Sequence, residues 1–472
     1  MNANVMSLFP WFQNGLKTLK TVIEIQQKGT SLAKKSLEDL TLGFRKGPYA
    51  AQASAAPDRS NSPAPSDLFS RLIEANREAA ARILDVNADQ ISGLMQQFNA
   101  EYSADLEFLD LFTEDPPIQD WKFEYTDSDI LLDLPGMRLI DISTDGPHRI
   151  GNYAVVFAPR AGHHSNIAER TAVFLRDQGL TRMAVVEQKC ANDIPLVIDG
   201  KPHSEDFENQ VAQYRTILEH LKARTGYPPH LIAVCQPGPL LLTTLILYPE
   251  LGKTFGSAGS PMHTEGERGM LTDFSRLMGE SYIDYLIDIF SGTIGPGEIG
   301  EGRKVYDGRL QVLGFYYLGM DQHMKNFRKY YTDLKVGNRK AADRQKEFYQ
   351  WYNRTHHFPA EFIRDTYKKI FVNNDLIHGT MRIGEQTASI KNYPVHVPIW
   401  ALGGSQDDIV PPQQAVGHLD LIDGLSDDKK LSVIADAGHM GIFRSSKVLV
   451  NDYSEVAKFI LGHSDAMTEG VK

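Results

Sequence analysis

Leu231-Ile-Ala-Val-Cys-Gln-Pro-Gly-Pro239 is the stretch on which the reading of this chain turns. Its first four residues are apolar and read as a buried strand. A nucleophile-type side chain follows at once, and Leu240 to Leu247 continues as an apolar helix. A strand turning sharply into a helix lifts the side chain at the turn, here Cys235, above the sheet, beside the next backbone N–H and the positive end of the helix. The glycines that commonly flank such a nucleophile at two residues on either side are here Ala233 and Pro237, with Gly238 one position late. A lone cysteine after a strand is more often an inert core residue, so the assignment needs partners elsewhere.

Working outward, Ala154-Val-Val-Phe157 and Met183-Ala-Val-Val186 are short β-branched runs, with helical patterns at Glu169 to Asp177 and Phe207 to Ala223 between them and the central strand. Strands alternating with helices predict a mostly parallel sheet covered on both faces. The pattern resumes with Pro398-Ile-Trp-Ala-Leu402 and Leu431-Ser-Val-Ile434 as strands and Val448 to Leu461 as a closing helix. The core is thus expected in two parts, 118–261 and 394–472. Residues 262–393 form an insertion that is helical in pattern and rich in aromatics, from Phe315-Tyr-Tyr317 to Phe371. An insertion there is expected to lie over the carboxyl ends of the strands, where open α/β sheets bind ligands.

Ahead of the core, Leu8, Phe9, Phe12, Leu16, Leu19 and Ile23 recur at helical spacing and define an amphipathic arm over 1–47. Its apolar face needs a cover: the protein's own body, a second copy in a homodimer, or a hydrophobic particle surface. Residues 48–66 are rich in Ala, Ser and Pro and read as a flexible linker, and 67–117 as a further helical segment ending at Pro116-Pro117.

The net charge of −11 and the absence of a long basic run argue against nucleic acid as a partner. With only two cysteines, Cys190 and Cys235, neither a disulfide framework nor a zinc-ligand pair is expected. Met1 to Lys20 has no secretory pattern, and no run approaches the roughly 18 apolar residues of a membrane span, so a cytoplasmic protein without a transmembrane segment is expected. Ala158-Pro-Arg-Ala-Gly-His-His164 after the first parallel strand is not a dinucleotide fingerprint.

Two later loops supply partners for Cys235. Gly403-Gly-Ser-Gln-Asp-Asp-Ile-Val-Pro411 follows a strand with the spacing of an acid-bearing loop, which makes Asp407 the candidate acid and its neighbour Asp408 the alternative. Ala435-Asp-Ala-Gly-His-Met-Gly-Ile-Phe443 follows the next strand and offers His439 as general base. Nucleophile, acid and base in this order, each after a strand, is the arrangement of an α/β-hydrolase fold with a helical lid insertion and an N-terminal helical extension. His439 would take the Cys235 proton, and Asp407 would orient the imidazole. The developing oxyanion is assigned to the N–H of Gln236 and to one from the loop around Arg160 and Ala161.

Ile232-Ala-Val-Cys-Gln-Pro237, Ala158-Pro-Arg-Ala-Gly-His163, Gly404-Ser-Gln-Asp-Asp-Ile409 and Gly438-His-Met-Gly-Ile-Phe443 resemble the corresponding segments of intracellular polyhydroxyalkanoate depolymerases, over about Trp121 to Leu461. The resemblance implies hydrolysis of stored poly(3-hydroxybutyrate) or its oligomers, with Cys235 as nucleophile, Asp407 and His439 as acid and base, and no cofactor or metal. It also implies work at a storage-granule surface. The chain departs from that family in its longer N-terminal leader and in Met440, where an aromatic is common. Two other readings follow from the same residues: a polyester synthase, whose box is normally Gly-x-Cys-x-Gly, and a granule-coating protein on an inactive hydrolase scaffold.

Overall fold

In the computed structural model, residues 10–27, 103–160 and 165–467 are described. The linker 48–66, the remainder of the arm, most of the segment 67–117 and Ala161 lie outside them.

The chain divides into two compact units. The smaller comprises residues 1–116 and 321–350. In it α1 (Pro10–Gln27) lays Leu16 and Ile23 against Leu109 of a helix at 103–113, with Leu19, Leu106 and Phe112 at the edges. Lys20 reaches Asp110 at 2.9 Å and also pairs with Glu114. The 103–113 helix meets residues of the insertion: Phe108 against Tyr331 at 5.2 Å, Phe112 against Phe327 at 5.1 Å, and Glu107 bound by Arg339 at 2.6 Å. Residues 262–393 are therefore not a single lid, because the piece 321–350 builds its core with the N-terminal helices.

The larger unit, 117–320 with 351–472, holds the sheet. Its strands in chain order are β1 (Ile130–Asp133), β2 (Met137–Asp141), β3 (Ala154–Phe157), β4 (Met183–Gln188), β5 (His230–Val234), β6 (Thr254–Ala258), β7 (Ile399–Gly404) and β8 (Lys430–Ala435). Across the sheet they lie in the order β1-β2-β4-β3-β5-β6-β7-β8. β1 and β2 are antiparallel, β2 is antiparallel to β4, and every pairing from β4 to β8 is parallel. β3 has β4 on one side and β5 on the other. The winding direction therefore reverses between β3 and β5, and a crevice opens beyond their carboxyl ends, where open α/β sheets hold their ligands.

Burial explains why these segments are strands. β3 and β5 have no exposed residue, as expected of strands covered on both faces. Helix α2 (Asn166–Asp177) packs against β3 and β4 and is capped by Ser165. On the core side α3 (Phe207–Thr225) lines up Val211, Tyr214, Ile217, Leu218 and Leu221, capped by Asp206 at its start and by Gly226 with φ 79° at its end. Helix α4 (Gly238–Leu247) is buried from Gly238 to Leu245 and satisfies its hydroxyls locally, Thr243 and Thr244 each donating to the carbonyl four residues back.

Between β6 and β7 the larger unit carries α5 (Met270–Phe290), α6 (Gly308–Leu318) and α7 (Ala360–Asp365), together with a three-stranded ribbon of Ser291–Thr293, Lys304–Tyr306 and Phe358–Pro359. Tyr316, Phe358, Phe362 and Phe371 are buried in it, so these aromatics serve as core. After β8 comes α8 (His439–Arg444).

Candidate active site

Cys235 sits at the junction of β5 and α4 with φ of 63°, one of three described non-glycine residues in the left-handed region. An L-residue held there costs roughly 1–2 kcal/mol, so the surroundings must impose it. They do so from two sides. The Cys235 N–H donates to the carbonyl of Ala258 at the end of β6 (2.8 Å). At the start of α4, a Cβ on Gly238 would fall 2.5 Å from Ser260 Cβ and 2.6 Å from Met262 Sδ. The glycine that the sequence places one position late is thus required by the segment after β6, which crosses directly over the helix start.

His439 opens α8, 6% exposed, and its Nδ1 lies 2.7 Å from Asp407 Oδ2. The Cys235 side chain lies close enough to the same ring to bear on its charge. With Nδ1 committed to the carboxylate, Nε2 is the nitrogen left for sulfur. Burial works against charging the imidazole, but the Asp407 and Cys235 charges and the Asp407 hydrogen bond outweigh it and hold His439 well above its ordinary pKa. That direction is the one expected of an imidazole whose charge is favoured by a buried carboxylate.

Asp407 is buried, and its second oxygen accepts from the N–H groups of Ile409 (3.0 Å) and Val410 (2.8 Å), which fixes the carboxylate plane. Asp408 is exposed. Of the two adjacent acids, then, the one on the imidazole is Asp407. The loops bearing acid and base meet closely, since a Cβ on Gly404 would lie 2.4 Å from the carbonyl oxygen of Ala437.

The oxyanion candidates are placed differently. Gln236 follows the nucleophile at the mouth of α4. Its side-chain Oε1 accepts the backbone N–H of Arg160 at 3.0 Å, so that N–H is engaged by protein rather than open to a ligand. Cys190 lies apart from the group: its thiol, pushed up by burial, donates to Asn192 Oδ1 at 3.5 Å.

A buried ionic cluster behind this loop escaped the sequence reading. Arg160, 2% exposed, pairs with Glu205, which is fully buried and also accepts from His203 (2.7 Å), Gln213 (3.1 Å) and Gln210. The guanidinium further donates to the Lys189 carbonyl (2.9 Å) and lies over the Phe362 ring (5.1 Å). Arg160 and Glu205 belong to different α/β crossovers 45 residues apart, and neither carries a motif that would join them. Among the described residues no group of three or more His, Cys, Asp or Glu side chains is arranged to hold a metal, and no helix is long and apolar enough to cross a membrane.

Residues 259–464 match the family model described as "PHB de-polymerase C-terminus". The match spans less than half of the chain; with the strand order it supports a PHB-depolymerase-type α/β hydrolase, and with it carboxylic ester hydrolysis. The matched span contains Asp407 and His439 and begins after Cys235. No curated protein matched the chain. Among solved structures it is similar to a monoacylglycerol lipase from Paleococcus ferrophilus, with 13% identity, 70% of this chain and 99% of that one covered, and a TM-score of 0.39. It is also similar to a thermophilic esterase from Thermogutta terrifontis, with 11% identity, 68% and 93% covered, and a TM-score of 0.36. Likenesses this distant carry no argument, and the strand order itself defines the fold.

Proposed function

We propose that this hydrolase cleaves ester bonds of poly(3-hydroxybutyrate)-type polyesters and their oligomers through a Cys235-His439-Asp407 triad and an acyl-cysteine intermediate, inside the cell and at the surface of storage granules. The observation that carries the reading is a single imidazole held at 2.7 Å by a buried carboxylate, its charge favoured by a nearby cysteine whose backbone is forced into the left-handed region at a strand-to-helix turn.

In the proposed course, the Cys235 thiolate adds to the ester carbonyl carbon. The tetrahedral oxyanion accepts from the Gln236 N–H, and from the Arg160 N–H once the Gln236 side chain turns away from it. Collapse breaks the carbon–oxygen bond as His439 passes its proton to the departing hydroxyl end of the polymer. His439, neutral again, then takes a proton from water, whose oxygen attacks the thioester. The acid is released and the thiol reforms. Asp407 steadies the imidazolium in both halves without itself becoming protonated. Every proton is accounted for by this chain and water.

The test is incubation with amorphous poly(3-hydroxybutyrate) granules, with chromatography of soluble 3-hydroxybutyrate and its oligomers, followed by acid quench and peptide mass analysis. Soluble hydroxyacids together with a hydroxybutyryl mass on the Cys235 peptide are expected. Turnover that survives Cys235→Ala, or an acyl group on another residue, would overturn the mechanism. Polymer formation from 3-hydroxybutyryl coenzyme A would replace hydrolysis with synthesis.

A further inference from the structure

Helix α5 is amphipathic in the reverse sense over its first half. It buries the hydroxyl residues Thr272 and Ser275 and turns Met270, Phe274 and Leu277 to solvent, Leu277 at 81% exposure. Beyond Gly279, whose φ of 70° and ψ of 172° interrupt the helix, Ile283 and Ile287 pack inward while Tyr282, Tyr285 and Ile289 stay exposed. Spacings of three, four and seven residues put each exposed trio on one side of its half of the helix. Together the six side chains, about half exposed or more, present roughly 500 Å² of apolar surface along the helix, an amount that on a monomer usually marks interaction.

The charges of the helix are matched within the insertion. Asp273 pairs with Arg268 (2.9 Å), Arg276 with Glu265 (3.1 Å), Asp284 with Lys368 (2.6 Å) and Arg364 (2.9 Å), and Asp288 with Arg364 (3.3 Å). Glu280, held by Asn373 at 2.7 Å, and Asp288 are exposed as well, so what faces outward is hydrocarbon and two phenol hydroxyls set among paired charges. The start of the stripe is built onto the acid loop. Gln414 donates to the Glu267 carbonyl (2.8 Å) and to Thr272 Oγ1 (3.2 Å), and a Cβ on Gly269 would meet Pro411 Cγ at 3.0 Å. Pro411 directly follows Val410, whose N–H is held by Asp407.

We infer that this α5 stripe is a docking surface for amorphous polyester, an inference that rests on the depolymerase reading and adds to it the place where the polymer surface is gripped. A polyester surface has no charge, exposes methyl and methylene groups, and offers ester carbonyls as acceptors without donors of its own. Apolar side chains interrupted by the Tyr282 and Tyr285 hydroxyls match that chemistry. An anionic lipid or nucleic acid would call for cations, and Arg268, Arg276, Arg364 and Lys368 beside the helix are engaged as described. Continuity with the acid loop would bring a gripped surface to the mouth of the site.

The experiment compares the full chain with the variant Phe274→Ser, Leu277→Gln, Ile289→Gln. Co-sedimentation with amorphous granules is read in a Cys235→Ala background so that the granules survive, and hydrolysis of granules and of the soluble 3-hydroxybutyrate trimer in the active background. The variant is expected to lose about tenfold in granule turnover and a comparable share of granule attachment, with trimer turnover within about twofold, because only the local concentration supplied by attachment is removed. Melting temperature and solution mass should stay the same. Equal co-sedimentation of the two proteins overturns the inference. A halved mass assigns the stripe to a second copy, a clearly lower melting temperature to the chain's own packing, and loss of attachment confined to phosphatidylglycerol vesicles to a membrane; each of these also overturns it. Failure of the unsubstituted chain to release hydroxyacids from granules would refute the functional reading instead, leaving co-sedimentation to decide docking.

Discussion

Replacing Glu205 with Gln keeps the shape of a fully buried side chain and removes its charge, leaving the Arg160 guanidinium at 2% exposure with no counter-ion. The new amide also turns two hydrogens toward groups that are themselves donors: Arg160, Gln210 and Gln213. Breaking a buried pair by removing one partner costs about 3–5 kcal/mol, mostly the desolvation of the charge left behind. At about 2 °C per kcal/mol for a unit of this size, the melting temperature should fall by roughly 6–10 °C. Burial alone would raise the Glu205 carboxyl, but the His203 hydrogen bond and the Arg160 charge outweigh it and hold it below its ordinary value. A depressed carboxylate contributes stability that is fully present above its unfolded value and is lost as pH falls through the folded one. The gap between wild type and variant should therefore be full near neutrality and close in acid. The assay is urea unfolding of wild type, Glu205→Gln, Arg160→Met and the double variant, with butyrate ester hydrolysis followed alongside. Removing the stranded charge as well should return the double variant to within about 2 kcal/mol of wild type, since pairs replaced together are often near neutral. Activity should not return with it, because Arg160 anchors the backbone that contacts Gln236. Additive losses in the double variant would refute the idea that these two side chains are coupled.

Other outcomes are expected at the site. Cys235→Ala should abolish turnover and labelling by iodoacetamide, whereas Cys190→Ala, at a half-buried thiol that donates to Asn192 and lies outside the site, should keep near-normal kcat; the reverse pattern in active-site titration would remove the nucleophile assignment. Asp407→Asn should lower kcat by about 10⁴-fold, as loss of the orienting carboxylate does in related triads, while the exposed Asp408→Asn should change it by less than about tenfold; equal losses in initial rates would contradict the geometry. Because His439 is held well above its ordinary value, the proton it gives the leaving alcohol is lost only as pH rises through that raised value. The alkaline limb of kcat/KM should accordingly lie above the ordinary histidine range and move down in Asp407→Asn, and a limb that stays put would show that another group sets it. In the smaller unit, Ile23→Ser should lower the melting temperature of the full chain, since Ile23 is fully buried against the 103–113 helix; an unchanged melt with lost granule attachment would instead make α1 a tether.

The central strands were legible because parallel strands covered on both faces must be continuous apolar runs, and β3, β4, β5 and β7 have that form. β6 was not. It reads Thr254-Phe-Gly-Ser-Ala258, short of β-branched residues, and the reason lies on its neighbour. A Cβ on Gly256 would fall 1.8 Å from the Trp400 ring of β7, so the indole takes the space a strand side chain would fill. β1 and β2 pair antiparallel at one edge, and only β2 has fully buried positions, so their apolar signal is weak. The amphipathic arm was legible as a helix, but not its cover, which is a helix about ninety residues later in the same unit.

At the site, spacing could name the loops but not decide within them. Asp407 and Asp408 are equivalent as letters. What separates them is a turn in which one carboxylate oxygen is occupied by the N–H groups of Ile409 and Val410, aiming the other at His439, while the next side chain faces solvent. Arg160 shows the same limit more strongly. As a residue of the loop after β3 it was nominated for its backbone N–H, yet its side chain does at least as much, tying that loop to Glu205, to the Lys189 carbonyl and to the Phe362 ring of α7. One guanidinium thereby joins the backbone beside the nucleophile to both a core helix and the insertion. Motion of α7 would be felt at the Gln236 contact through a side chain that is enclosed and held by Glu205 and the Lys189 carbonyl. Substitutions at Phe362, some distance in sequence from any catalytic residue, should therefore change kcat more than the binding of small esters.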